Sequence, residues 1–341
     1  MAIRALLFGG CLLRGPFHRI RNAERRKPGT DWDGVPEDLT FGGVPYFTYT
    51  LGEMLQTVQI YKGQRYVPRE IKTLCGINHD FSPNPRVALN KIDVMLIEPN
   101  TSNEIEFEGY YLNRNRVMDL LERIRALGEA ADKLAGQWFH KGVNGMNDEL
   151  RRSLAEKLID LLPDDIEDRD FLCVFLRNAR GEKRDVHTAL KAFLDAVDIP
   201  VGLVTFTWQY MPDGRPISWP ADFYKKLMAA AHALDLPYIE PREYVTEFGI
   251  KAAMRKDFKH YTEEFQPIMA KALVQFAKDV IARGKPDGQE IGRLSGDAGE
   301  AGAAGNGAIE TEAEAEAVRA GEAPVANPAE SGRAPLLAAS P

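Results

Sequence analysis

The residue in this chain best suited to nucleophilic chemistry is Cys11. It follows an apolar run and two glycines, in the stretch Ile3-Arg4-Ala5-Leu6-Leu7-Phe8-Gly9-Gly10-Cys11. A strand that closes in Gly-Gly can turn sharply and present one reactive side chain at its tip, because glycine tolerates the backbone angles of a tight strand-to-helix turn. A thiol near its free pKa is only partly ionised at neutral pH, so it needs a base or a positive neighbour. Asp257-Phe258-Lys259-His260 supplies a candidate. The imidazole would take the proton, and a carboxylate three residues earlier would fix its tautomer. Asn100 and Gly52 add a side-chain amide and an uncovered backbone N–H, both suited to an oxyanion. Each residue also has a plainer reading. Cys11 fits a small buried apolar position, Asp257 and His260 a helix cap with a surface histidine, and Asn100 a turn. Glu98 fits a solvent-facing acid at a strand end, and Gly52 a close-packing glycine.

These residues are far apart in sequence, so the elements between them must bring them together. Residues 3–9 are the first predicted strand. Val44-Pro45-Tyr46-Phe47-Thr48-Tyr49 is β-rich and reads as the second. Thr50 with Glu53 three residues on is a capping-box pattern, and it predicts a helix through Met54, Leu55, Val58 and Ile60 that stops near Gly63. Residues 68–90 read as a short helix and then a loop. Ile92-Asp93-Val94-Met95-Leu96-Ile97 is the clearest buried strand, and Glu98-Pro99-Asn100-Thr101 lies just past its carboxyl end. That is where α/β proteins place their sites. Residues 114–196 read as almost entirely helical, longer than one crossover needs, and are expected to include an added helical layer or lid. Pro200-Val201-Gly202-Leu203-Val204-Thr205-Phe206-Thr207 is the fourth strand. Trp208, Tyr210 and Trp219 follow in a loop that would wall an acyl pocket or simply pack on the body. A helix over 221–234, a short strand at 237–240, a helix or turn over 242–253 and a last helix starting close to Pro267 complete the series.

Strands alternating with helices predict a mostly parallel five-stranded sheet between helical layers, a three-layer α/β/α sandwich with residues 114–196 as an insertion. The strand carboxyl ends then share one edge. Cys11, Asn100 and the Asp257/His260 loop would meet there.

Composition narrows the classes. The 341 residues carry a formal net charge of -7. From Lys285 onward there are four basic and ten acidic residues, which leaves the body near -1. A nearly neutral body argues against nucleic acid as partner. The tail 284–341 is rich in Ala, Gly, Glu and Pro and lacks aromatics, so it is expected to be disordered. Cys11, Cys75 and Cys173 are too dispersed for a disulfide framework or a zinc site, and fit a reducing compartment. The first apolar run is too short to span a membrane and has no secretory pattern, so a cytoplasmic location is expected. No cofactor or metal is called for. Gly9-Gly10 and Gly42-Gly43 lack the spacing of a dinucleotide or P-loop site. His140 and His187 read as ordinary histidines. Arg14, His18, Arg19, Arg21, Arg25, Arg26 and Lys27 crowd a turn-rich stretch over 14–38. It reads as a solvated loop, or as an anion-attracting rim beside Cys11 in which Arg14 would contact substrate.

The order of these motifs resembles the SGNH (GDSL-type) hydrolase family. Its nucleophile block, Gly-Asp-Ser-Leu, would be Gly9-Gly10-Cys11-Leu12 here. The glycine after its second strand would be Gly52. Its Gly-x-Asn-Asp block keeps only the Asn, as Asn100 in Glu98-Pro99-Asn100-Thr101. Its Asp-x-x-His block keeps both residues, as Asp257 and His260, ahead of the last helix. Cysteine in the serine position is similar to the GSCFA branch. The resemblance spans residues 3–283 through short motifs. Sulfur replaces oxygen, Gly10 replaces Asp, and Glu98 replaces Gly. It implies an SGNH/flavodoxin-like fold and acyl-ester hydrolysis or acyl transfer, with an acylated carbohydrate as the substrate class. Cys11 would be the nucleophile, His260 the base and Asp257 its orienter, with Gly52 and Asn100 at the oxyanion and Arg14 and Trp208 at the substrate. The alternative is a protein of that fold that binds an acylated or sugar ligand without turnover.

Overall fold

The computed structural model describes residues 3–21, 40–43, 47–77, 89–205, 221–257 and 260–284, with the backbone alone at 19–21, 40–43 and 221. Its centre is a parallel sheet. Strand β1 (Arg4–Phe8) lies between β2 (Thr40–Gly43) and β3 (Val94–Ile97), and the sheet continues through β7 (Val201–Val204) to β8 (Tyr238–Ile239). Every residue of β3 and β7, and all of β1 after Arg4, is buried, as a parallel sheet covered on both faces requires.

Alternate strand residues feed two different cores. Ala5, Leu7, Val94 and Leu96 pack with Leu13 and Phe17 of helix α1 (Cys11–Arg21) and with Met269, Leu273 and Phe276 of the last helix, α12 (Gln266–Arg283). Leu6, Phe8, Met95 and Ile97 pack with Met54 and Val58 of α2 (Leu51–Tyr61), Phe193 of α8 (Val186–Asp195) and Leu227 of α9 (Ala221–Ala233). The contact with α12 is close. A Cβ on Gly202 of β7 would lie 2.7 Å from the Phe276 ring and 2.9 Å from Val280.

Local signals set the helix starts. Thr50 caps α2 by accepting the Glu53 N–H at 3.1 Å, one half of a capping box, while Glu53 Oε2 accepts the N–H of Tyr49, one residue before the cap, at 3.3 Å. Lys62 closes the helix, and Gly63 follows at φ 70. Pro241 and Pro267 sit in the first turns of α10 (Pro241–Phe248) and α12. The short α3 (Arg69–Lys72) and α11 (Ile250–Ala253) complete the helices outside the insertion.

Within it, α4 (Arg114–Arg125), α5 (Glu129–Gln137), α6 (Asp148–Ile159) and α7 (Arg169–Asn178) surround a separate core of Trp138, Phe139, Phe175 and Leu176. The buried Trp138 Nε1 donates to the Leu176 carbonyl at 3.2 Å. Asn113, Asn147 and Asp185 cap α4, α6 and α8 through their side chains. This region is not all helix. A small antiparallel sheet of β4 (Asn103–Phe107), β5 (Tyr110–Tyr111) and β6 (Arg180–Lys183) ties its two ends together. Residues 138–143 form a π-type turn.

Three expectations are corrected. The second strand is Thr40–Gly43, and of the expected run over 44–49, residues 44–46 lie outside the described residues. Residues 47–49 form no strand, and the Tyr49 carbonyl accepts the N–H groups of Asn100 and Thr101 instead of joining the ladder. Residues 14–21 continue α1 rather than forming loop, because burial of Leu12, Leu13 and Phe17 outweighs the ladder bond lost at Pro16. β6 interrupts the expected helical run over 114–196. The loop carrying Trp208, Tyr210 and Trp219, the basic residues 22–39 and the tail from 285 onward lie outside the described residues. No helix among the described residues is long and apolar enough to cross a membrane.

Candidate functional site

The turn from β1 into α1 puts Cys11 at the first position of the helix, half-buried, at the carboxyl edge of the sheet. Glu98 lies beneath it. It follows β3 directly, and its side chain runs under the start of α1, where Oε2 accepts the Gly10 N–H at 2.9 Å and the Leu13 N–H is a second donor. Glu98 is 1% exposed, so it is not the solvent-facing acid that its place at a strand end suggested. Burial pushes this carboxyl up to about 8, against the pull of the two N–H groups. It also explains Gly9, since a Cβ there would sit 2.7 Å from Glu98 Cβ and 2.9 Å from Oε2.

The Cys11 thiol is pushed up to about 11. Burial is the largest cause, and the charges of Glu98 and Asp257 add to it, while the Cys11 and Leu12 backbone N–H groups pull the other way. The resting sulfur is therefore a neutral thiol. Asp257 lies close enough for its charge to act on that sulfur. It also holds His260. Nδ1 of the imidazole lies 2.6 Å from Asp257 Oδ2, and the His260 N–H donates to Oδ1 at 3.2 Å. Close to the pair, Met254 and Tyr261 form an antiparallel bridge, and the Arg255 N–H donates to the His260 carbonyl at 2.8 Å. Tyr261 packs its ring edge-on to Phe265. Both side chains of the aspartate–histidine pair are roughly half exposed.

Asn100 is tethered by its backbone N–H to the Tyr49 carbonyl at 2.8 Å. Its amide stands beside Gly10, where a Cβ would lie 3.6 Å from Nδ2. Among the described residues its buried Oδ1 has no hydrogen-bond partner. Gly52 differs. Its N–H donates to Glu104 Oε1 at 2.8 Å, so that donor is already spent on a carboxylate. Glu104 in turn pairs with Arg184 at 2.8 Å, and burial pushes its carboxyl up to about 7. Arg14, one turn on from Cys11, lies partly buried over the Phe47 ring at 5.0 Å. Trp208 lies outside the described residues.

Sequence reasoning passes over Tyr49, whose hydroxyl accepts from Asn115 Nδ2 at 2.8 Å. Burial is the main cause that pushes its phenol up to about 12, with Glu53, Cys11 and Glu98 adding to it. It also passes over Glu104, although the alternation in Asn103-Glu104-Ile105-Glu106-Phe107 is a period-two strand signal. Among the described residues no group of three His, Cys, Asp or Glu could hold a metal ion.

The family model described as the TviD N-terminal domain matches residues 3–276. No curated protein and no solved structure matches the chain.

Proposed function

This chain belongs to the TviD N-terminal domain family, a description that names no activity, and from the geometry around Cys11 we propose that it carries out acyl transfer or acyl-ester hydrolysis through a covalent Cys11 intermediate. The observation that carries the reading is the Asp257–His260 pair at 2.6 Å, whose aspartate also acts on the Cys11 sulfur. Asp257 engages Nδ1, and in the proposed scheme Nε2 would take the proton from the thiol. His260 takes that proton as sulfur attacks the acyl carbonyl. The carbonyl electron pair moves to oxygen, which the Cys11 N–H and the Asn100 amide would stabilise. As the pair returns, the C–O bond to the leaving alcohol breaks, and the alcohol leaves with the proton held on His260. Water or an acceptor hydroxyl then attacks the thioester, giving its proton to His260, and the thiol is restored. The Gly52 N–H, bound to Glu104, is left out of this scheme.

The fold that goes with the proposal is a three-layer α/β/α sandwich of the SGNH type, with the helical region as an insertion. An acylated carbohydrate is the substrate class the resemblance brings, and the scheme needs no cofactor. The free thiols Cys11, Cys75 and Cys173 fit a reducing, cytoplasmic compartment.

One observation favours a second reading, ligand binding without turnover: the Cys11 thiol is pushed up to about 11, away from the ionised form. Intact-mass spectrometry after incubation with 4-nitrophenyl acetate separates the two. The enzyme reading expects one acetyl adduct that maps to Cys11, is absent in Cys11→Ala, and forms about 100-fold or more slowly in His260→Ala. No adduct, or equal labelling of the buried Cys75 and Cys173, would favour the binding reading.

A further inference from the structure

Among the described residues Arg14 is a cation without a counter-charge. Among the described residues no carboxylate pairs with its guanidinium, and its Nε is buried with no hydrogen-bond partner. Burial pulls its pKa down, and the nearby phenols of Tyr61 and Tyr49 offset that only in part. A partly desolvated guanidinium left in this state is costly unless something of opposite charge completes it. Its surroundings are apolar on one side, with Phe47 against its face at 5.0 Å and the buried Tyr61 close by.

Its position is as informative as its lack of a partner. Arg14 follows Cys11 by three residues on α1, so the two share a helix face. Tyr49 lies within reach of both, since its hydroxyl feels Cys11 and its phenol acts on Arg14. A second cation, Arg114, also senses Tyr49, with its guanidinium over the Phe139 ring at 5.3 Å. An oxyanion brought to Arg14 would lie one helical turn from the sulfur and would receive the fork of N–H donors that a guanidinium offers.

We propose that Arg14 is a specificity-determining residue that binds an oxyanion, carboxylate or phosphate, carried by the acyl donor. This rests on the reading of Cys11 as the acylated residue. A carboxylate would sit on the acyl chain and a phosphate on the leaving group; both present the same charged oxygens to the guanidinium.

The test measures the rate of Cys11 acylation by intact-mass spectrometry with three donors. These are neutral 4-nitrophenyl butyrate, 4-nitrophenyl hydrogen succinate with its free carboxylate, and acetyl phosphate with its anionic leaving group. Wild type is compared with Arg14→Gln and Arg14→Lys. The expected result is that the ratio of one anionic donor to the neutral ester falls about 10- to 100-fold in Arg14→Gln. Arg14→Lys, which keeps the charge but loses the fork, should fall less. The donor whose ratio falls identifies the source of the anion. If both ratios stay at the wild-type value while Cys11 is still acylated, the proposal is overturned and the enzyme reading stands. If no donor acylates Cys11 in the wild type, the reading on which the proposal rests fails first. Using ratios keeps the result meaningful even if the variants lose overall activity, and Arg14→Lys stands in should Arg14→Gln fail to fold.

Discussion

Replacing Glu98 by Gln should flatten the pH dependence of stability in a way that can be worked out from its surroundings. Glu98 is buried under the start of α1, bound by the Gly10 and Leu13 N–H groups, and burial raises its carboxyl from an ordinary 4.5 to about 8. In the unfolded chain the same carboxyl ionises near 4.5. Between these values the folded state holds a proton that the unfolded state has released. Stability is therefore greatest below pH 4.5 and falls as pH rises towards 8, by about 1.4 kcal/mol per pH unit for one such group. From pH 5 to pH 7 Glu98 alone accounts for a loss of about 2.5 kcal/mol. Glu53, equally buried and also raised to about 8, adds a similar slope. Gln keeps an oxygen acceptor for the N–H groups and does not titrate. Urea unfolding at pH 5, 6 and 7 should then show the wild type losing about 2.5 kcal/mol more than Glu98→Gln across the interval. Parallel pH dependences would mean that Glu98 is ionised in the folded protein rather than a neutral acid under the start of α1.

The same substitution removes a negative charge from beside Cys11, so the midpoint of its alkylation by iodoacetamide should move below the wild-type value of about 11; an unchanged midpoint would show that burial alone sets it. Gly9→Ala should destabilise by about 1–3 kcal/mol through its clash with Glu98, whereas Gly10→Ala, whose Cβ meets nothing closer than 3.5 Å, should be far milder; thermal melts of the pair read the difference. Trp138→Ala should cost about 3–5 kcal/mol in urea unfolding, because it empties a fully buried site and frees the Leu176 carbonyl. Gly202→Ala should push α12 off the sheet at Phe276 and Val280 and lower the melting temperature; an unchanged melt would mean that this contact is loose.

The elements that sequence reads well are those whose own residues decide them. Ala5 to Phe8 and Val94 to Ile97 are apolar without interruption, which only a two-sided sheet explains. Thr50 and Glu53 mark the start of α2 by bonds that each makes within four residues. Thr40-Phe41-Gly42-Gly43 carries no such mark, having two glycines where a strand former is expected, and it is a strand because β1 offers an edge. Glu104 and Glu106 disguise β4 in the same way, since their burial depends on Gly52, Arg184 and Arg180 from elsewhere in the chain. The candidate site divides along this line. Asp257 and His260 are neighbours in sequence and their bond is local. The burial of Glu98, the loss of the Gly52 N–H to Glu104 and the isolation of Arg14 are all tertiary facts.

The path of the chain through the sheet also sets an order of assembly. β1 is made first yet sits between two later strands, and α1 behind it is covered by α12, the last element described. The helical region from α4 to α7, with its own core around Trp138 and Phe175, closes mostly through neighbours in sequence. Local contacts form fast and distant ones slowly. As the chain leaves the ribosome, this region should therefore be structured while β1 still lacks its roof. The Ala-Leu-Leu-Phe run and the Cys11 thiol stay open to chaperones, oxidants and other chains until α12 arrives, so an oxidising environment would endanger Cys11 during synthesis, before its final surroundings have formed.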